Sequence, residues 1–288
     1  MTRCVDTPAD LLVLEALEEN LFRGQSEDLG LRQLYGGQVL GQALSAATRT
    51  LEGRGAHSLH GYFLRPGDAQ LPVIYQVDRL RDGGSFSTRR ISAIQKGQVI
   101  FSAIASFQQL EEGFAHQPAM PEAPPPESLE NVETLVRQLG DRLPRRVTEA
   151  SRAPSGIEIR PVLHGDPLLA QPQPALHQAW MRASTAVSGD QALHRCLLAY
   201  ASDCMLLPTA LLPHAVTMWQ PDMQVASLDH ALWFHRDVRM DQWLLYSLES
   251  PWAGGGRGLA HGRFYNEAGE LVASVAQEGL MRRREDWA

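Results

Sequence analysis

Along residues 36–47, GGQVLGQALSAA, and again along 196–212, CLLAYASDCMLLPTALL, apolar side chains recur at three- and four-residue spacing. That is the period of a helix with one buried stripe. In the second run Cys196, Ala199, Tyr200, Leu206 and Leu207 line the stripe, and Asp203 falls among them. Each run is followed by short segments rich in Val, Ile, Tyr, Phe and Trp, bounded by Gly-containing turns such as QKGQ and EAGE. Such segments predict antiparallel strands joined by hairpins. One helix followed by about four strands, twice over, is an α+β plan in which two sheets can pair edge to edge.

The two halves resemble each other. SLHGYFLRP at 58–66 matches SLDHALWFHR at 227–236, and a GGS turn matches a GGG turn. Ser58 with Ser227, Arg65 with Arg236, Gly83 with Gly254 and Gln108 with Gln277 are separated by 169 to 171 residues. Between the halves lie two Pro-rich passages, QPAMPEAPPPESLE at 117–130 and RPVLHGDPLLAQPQP at 160–174, flanking the helix-compatible NVETLVRQLGDRL. Prolines remove backbone donors and favour extended chain, so the region reads as a connection. The expected division is 1–115, a linker at 116–175, and 176–288.

With 288 residues and 44% hydrophobic content the chain has ample material for a packed core. The formal charge of −7 is interspersed along it and gives no reason to expect nucleic acid as a partner. Arg282, Arg283 and Arg284 are most simply a solvated chain end. Cys4, Cys196 and Cys204 suggest neither a disulfide framework nor a CxxC metal site, which fits a reducing, cytoplasmic setting. Acidic residues interrupt the apolar positions of the N-terminal stretch, unlike a signal peptide, and the ending EDWA is not of the SKL type. No membrane span is expected.

GxSxG, HExxH, P-loop and strand-linked GxGxxG signatures are missing. GGGRG at 254–258 lacks the GK[ST] ending of a phosphate loop and reads as a hairpin connection. His57 with His60, and His230 with His235, invite a metal reading, but on strands each pair is expected to point to opposite faces, so core or interface roles are preferred and no metal or cofactor is assigned. Three polar residues stand where the pattern expects apolar or structural ones: Asp203, Ser227 and Gln277. An Asp on a buried stripe loses hydration and needs either a partner or a task. A carboxylate can take a proton from water, while a hydroxyl and an amide can hold that water and stay neutral. The first half keeps Ser58 and Gln108, but the positions projected from Asp203 are Arg32, Gln33 and Leu34, with Asp28 nearby. A site in the second half alone is the simpler reading.

At these residues a resemblance enters. LFRGQSEDLGLRQLYGGQVLGQAL, HSLHGYFLRPGD, YASDCMLLPTAL, SLDHALWFHR and LVASVAQEGLMR look like passages of the acyl-CoA thioesterase II family, the bacterial TesB type. The match runs in order over nearly the whole chain. It implies a double hotdog fold, hydrolysis of medium-to-long-chain fatty acyl-CoA to free acid and CoA, and association into homo-dimers or tetramers. It also implies that Asp203, Ser227 and Gln277 orient and activate water. Where the family pattern is ATIDH this chain has ASLDH, which keeps the hydroxyl and loses a rotamer-restricting β-branch.

Direct attack of water on a thioester needs no acyl-enzyme. A backbone N–H near the start of the central helix is the candidate oxyanion donor. Met205 and Leu206 are candidates for an acyl tunnel, or else plain core, and Arg65 and Arg236 are either CoA-phosphate contacts or structural. Two other readings stay open. A hotdog hydratase or dehydratase would call for a His and acid pair, and a non-catalytic acyl-CoA-binding protein would need none of the three polar groups.

Overall fold

The computed structural model describes residues 7–31, 33–143, 148, 156–163, 171–187 and 190–284. Cys4, Arg32, part of the second Pro-rich passage and the terminal EDWA lie outside the described residues.

The alternating segments form strands as expected. In the first half these are β1 (Glu15–Glu18), β2 (Leu21–Gly24), β3 (Gly55–Phe63), β4 (Val73–Asp82), β5 (Phe86–Gln95) and β6 (Gln98–Gln108). The second half adds β7 (Ile157–Pro161), β8 (Leu176–Ala183), β9 (Met223–Ser227), β10 (Asp229–Phe234), β11 (Leu244–Gly254), β12 (Arg257–Asn266) and β13 (Leu271–Arg283). Among the described residues the thirteen strands form one sheet, ordered β1-β2-β4-β5-β6-β3-β10-β13-β12-β11-β8-β7, with β9 also pairing with β13. The seam between the halves is the antiparallel β3–β10 pair, in which Ser58 faces Trp233, His60 faces Ala231 and Tyr62 faces Asp229. Joining there removes two exposed strand edges at once.

The hairpin readings hold. Lys96–Gly97 and Gly255–Gly256 are two-residue turns with φ of 49° and 71°, and 56° and 74°. Positive φ at both central positions matches the twist of the flanking strands, and Gly adopts it at no steric cost. GGGRG is thus the β11–β12 turn.

The helices that frame the sheet are α1 (Pro8–Leu11), α2 (Gly36–Thr48), α3 (Val132–Leu139), α4 (Gln191–Ser202) and α5 (Leu206–Leu211). α2 is buried almost all round, from Gly37 to Ala47, because it is covered by both the sheet and α4. The close approach depends on two glycines. A Cβ on Gly37 would run into the Tyr200 carbonyl, and one on Gly41 would stand 2.9 Å from that of Cys196.

The apolar run at 196–212 is not one helix, contrary to expectation. α4 ends at Ser202, Met205 takes a left-handed φ of 68°, and α5 starts afresh at Leu206. Pro208 supplies the reason: in an uninterrupted helix its ring would clash with the carbonyl of Cys204 and leave one hydrogen bond unmade. The Tyr246 hydroxyl donates to the Ser202 carbonyl at 2.7 Å and satisfies the broken end. By length and composition alone, Gln191–His214 is apolar enough to cross a membrane. Most of this span is buried inside the fold and the helix is interrupted at 203–205, as suits core packing.

The Pro-rich middle is more than a free connection. It contributes α3 and the edge strand β7, and it lays Met120, Ala123 and Leu129 against a second apolar cluster of Trp180, Trp243, Leu245 and Tyr265. The Trp180 indole donates to the Pro124 carbonyl at 2.8 Å, while Arg160 and Arg182 stack on Trp243 and share Glu158.

Candidate active site

Ending α4 at Ser202 leaves Asp203 as its C-terminal cap. There it meets the other half of the chain. A Cβ on Gly36 would lie 2.7 Å from Asp203 Oδ2, so the carboxylate rests against the first turn of α2. The cap residue of that helix, Tyr35, offers no side-chain acceptor to the exposed N–H groups. Asp203 takes that place from across the molecule, with the Gly37 N–H favouring its charged form. The Tyr35 hydroxyl pins the break, donating to the Tyr200 carbonyl at 2.9 Å and lying 3.0 Å from Cys204 Sγ.

Ser227 and Gln277 are brought to the same place. Ser227 is the last residue of β9, where the strand that pairs with β13 gives way at Leu228 to β10. The Gln277 carboxamide donates from Nε2 to Ser227 Oγ at 2.5 Å. Both side chains face Asp203 and stabilise its ionised form. Burial acts the other way and is the largest influence, so the Asp203 carboxyl is held above the ordinary aspartate range. Among the described residues its Oδ1 is buried with no hydrogen-bond partner, a carboxylate oxygen left available for a proton.

His230 joins the cluster, which sequence reasoning did not foresee. It is 1% exposed, with Nδ1 2.9 Å from Gln277 Oε1 and Nε2 3.0 Å from Ser202 Oγ. Burial holds the imidazole below its ordinary value, which favours the neutral ring. Its position three residues after Ser227 was the available signal, masked because a buried strand histidine reads equally well as core. His235 points the other way, exposed and 2.9 Å from Ser274 Oγ, as expected. The expectation for His57 and His60 is overturned. A register shift in β3 between Ala56 and Ser58 turns His57 to Ser106, on the same outer face as His60, which packs on Trp233.

Asp203, Ser227 and Gln277 all come from the second half, as expected, while the helix start beside them, that of α2, belongs to the first. One further expectation changes, since the first-half counterpart of Asp203 is not at 32–34: the helix C-caps align at Arg49 and Asp203, 154 residues apart, because α5 and the chain up to β9 are inserted before the matching strands. Arg49 donates instead to the Leu14 carbonyl. The equivalent helix start, at α4, is closed by its own residue, as Asp190 accepts from the Ala192 N–H at 2.9 Å.

A cavity of about 190 Å³ opens beside the cluster, lined by Gly36 and Ser227 together with Leu34, Val39, Phe63 and Ile100. Met205 and Leu206 are not among its walls; Leu206 is fully buried core and Met205 packs against it. Arg65 stands exposed at the cavity rim, whereas Arg236 lies 3.8 Å from Glu270 in an ion pair. Among the described residues no group of three or more His, Cys, Asp or Glu side chains is arranged to hold a metal ion.

Comparison with known proteins identifies the family of the chain. Residues 26–108 match the model of the acyl-CoA thioesterase N-terminal domain, and 159–280 match that of acyl-CoA thioesterase. The chain is 44% identical to human acyl-coenzyme A thioesterase 8, over 96% of this chain and 92% of that protein. It is 42% identical to acyl-CoA thioesterase 2 of Haemophilus influenzae, over 94% and 96%. The crystal structure of acyl-CoA thioesterase II TesB2 from Mycobacterium marinum superposes with a TM-score of 0.79 at 43% identity, covering 98% of this chain and all of that one. A hot dog fold protein from Alicyclobacillus acidocaldarius, 20% identical with a TM-score of 0.77, shares the architecture. With both family models matched in order and relatives above 40% identity along nearly its full length, the chain belongs to the acyl-CoA thioesterase family, thioester hydrolases built on the double hotdog fold.

Proposed function

We propose that this protein hydrolyses medium-to-long-chain fatty acyl-CoA to the free acid and CoA by direct attack of water. The observation that carries the reading is the convergence of Asp203, Ser227 and Gln277 on the open start of α2, next to an apolar cavity. In this reading a water is held by the Ser227 hydroxyl and the Gln277 amide while Asp203 takes its proton. A carboxylate whose basicity is raised by burial is a better base for that step than an exposed one. The water oxygen bonds to the thioester carbon, and the negative charge gathering on the carbonyl oxygen is met by N–H groups at the start of α2, fixed in place before the reaction. Collapse breaks the C–S bond. The thiolate leaves and receives the proton that Asp203 had taken.

The cavity is smaller than the roughly 300–1,000 Å³ typical of complete ligand sites, so it takes only part of the substrate, the acyl segment next to the carbonyl. Ser in place of Thr at 227 leaves the hydroxyl a wider choice of rotamers. Association into a homo-dimer or tetramer and a cytoplasmic location are part of the same reading, and the three cysteines suit a reducing compartment.

Free thiol release from butyryl- to palmitoyl-CoA, with and without chelator, is the test, run beside Asp203→Asn. Chelator-insensitive release that the substitution removes is the expected result. Binding of acyl-CoA with no thiol release would favour a binding protein instead.

A further inference from the structure

The Gln277 carboxamide has two distinguishable edges, and its task depends on which one faces Asp203. Its Nε2 lies 2.5 Å from Ser227 Oγ and its Oε1 lies 2.9 Å from His230 Nδ1. A flipped amide would turn Oε1 toward the Asp203 carboxylate, placing two acceptors together in a buried site, which is costly. With Oε1 on the His230 side, the facing Nδ1 must carry a hydrogen. The neutral ring then has a bare Nε2, and the group beside it, the Ser202 hydroxyl at 3.0 Å, must donate. Ser202 Oγ also lies 2.9 Å from the Ala199 carbonyl, and a hydroxyl has one hydrogen, so it serves the imidazole at the expense of that helix contact. The donors then run one way, Ser202 to His230, His230 to Gln277 and Gln277 to Ser227, which leaves the Ser227 hydrogen for Asp203, whose ionised form Ser227 favours.

We propose that His230, as the neutral Nδ1–H tautomer held by Ser202, is the positioning residue that locks the Gln277 amide with its N–H edge turned to Ser227 and Asp203. His230 and Gln277 are each 1% exposed and Ser202 is fully buried, so solvent does not compete for these bonds. His230 touches no reacting atom in this arrangement. It acts through Gln277, and in the catalytic sense the assignment rests on the hydrolase reading given above.

Two measurements test it, one of which does not depend on activity. In protein with ¹⁵N-labelled histidine, the His230 ring, identified by its loss in His230→Asn, should show a protonated Nδ1 and a bare Nε2. A protonated Nε2 with bare Nδ1 would overturn the proposal even if no acyl-CoA were hydrolysed. In kinetics, His230→Ala should lower kcat roughly 10- to 100-fold with KM within about two-fold, as for loss of one buried orienting bond. His230→Asn, whose side-chain amide can donate in the place of Nδ1–H, should recover most of that loss. His230→Ala should cost little further when Gln277 is already Ala. Should the Ala variant fail to fold, Ser202→Ala replaces it, with a smaller kcat loss and the same dependence on Gln277. Equal losses with and without Gln277, or an Asn variant no better than Ala, would sink the positioning role. If wild type hydrolyses no acyl-CoA, the hydrolase reading fails and the tautomer alone decides this one.

Discussion

Asp203 Oδ2 and the α-carbon of Gly36 are so close that a methyl group on Gly36 would stand 2.7 Å from the carboxylate. The residues are 167 positions apart, on different repeats, and each supplies what the other lacks. The start of α2 has no side-chain cap of its own, and Asp203 is a carboxylate withdrawn from bulk water that the Gly37 N–H can serve.

Gly36→Ala tests that contact. The added methyl would press on the carboxylate and, at 3.1 Å, on the Phe63 ring, so turnover should drop at least about ten-fold while the chain still folds. Gly37→Ala, which meets the fixed Tyr200 carbonyl, should lower Tm instead. Thiol release and thermal melts on both variants separate the two effects.

Asp203→Asn keeps the shape and removes the base. Turnover should fall about 10²- to 10⁴-fold, with acyl-CoA affinity nearly unchanged. Near-normal turnover would remove Asp203 from the proposed mechanism.

The same substitution should stabilise the protein. Because burial raises the Asp203 pKa, the folded state holds this proton more tightly than the unfolded chain, and stability falls as pH rises from the ordinary aspartate value through the raised one. Asp203→Asn should therefore melt higher than wild type at neutral pH, with the gap closing as pH drops below the usual carboxylate range. Melting curves across that range show it, and a gap that grows on acidification would contradict the sign.

In wild type the acid limb of kcat against pH should lie above the ordinary aspartate value, since the base works only when ionised and burial delays ionisation. Steady-state rates from pH 4 to 8 would place the limb, and one at or below the usual value would rule Asp203 out as its source.

Filling the cavity should change which substrates are accepted. Val39→Phe projects a ring into the space between Leu34 and Ile100, and kcat/KM should fall more for substrates whose acyl chain must pass there than for acetyl-CoA. A uniform loss over all chain lengths would mean that the cavity holds the pantetheine arm or no substrate at all.

Much of this was legible in the chain itself. Alternation and turn chemistry sufficed for β3 to β6 and β10 to β13, and polar residues in apolar places pointed to Asp203, Ser227 and Gln277. What was not legible is long-range or depends on a single interruption. Pro208 and the left-handed Met205 break a run whose periodicity looks continuous, and that break makes Asp203 a helix cap rather than a mid-helix residue. The role of α2 could not be read because its glycines also suit plain helix packing. His230 looked like core because it is core, with both ring nitrogens given to neighbours.

The self-closed start of α4 has a consequence for counting. A symmetric pair of repeats would offer two helix starts, each facing the opposite repeat, but Asp190 occupies one of them and Arg49 stands where the second carboxylate would be. Each polypeptide then has a stoichiometry of one: a tight, non-hydrolysable thioester mimic should saturate at a single equivalent per chain, with no second class of sites and no cooperativity arising inside the chain. The duplication thus gives one helix start turned to the opposite repeat and one closed on itself.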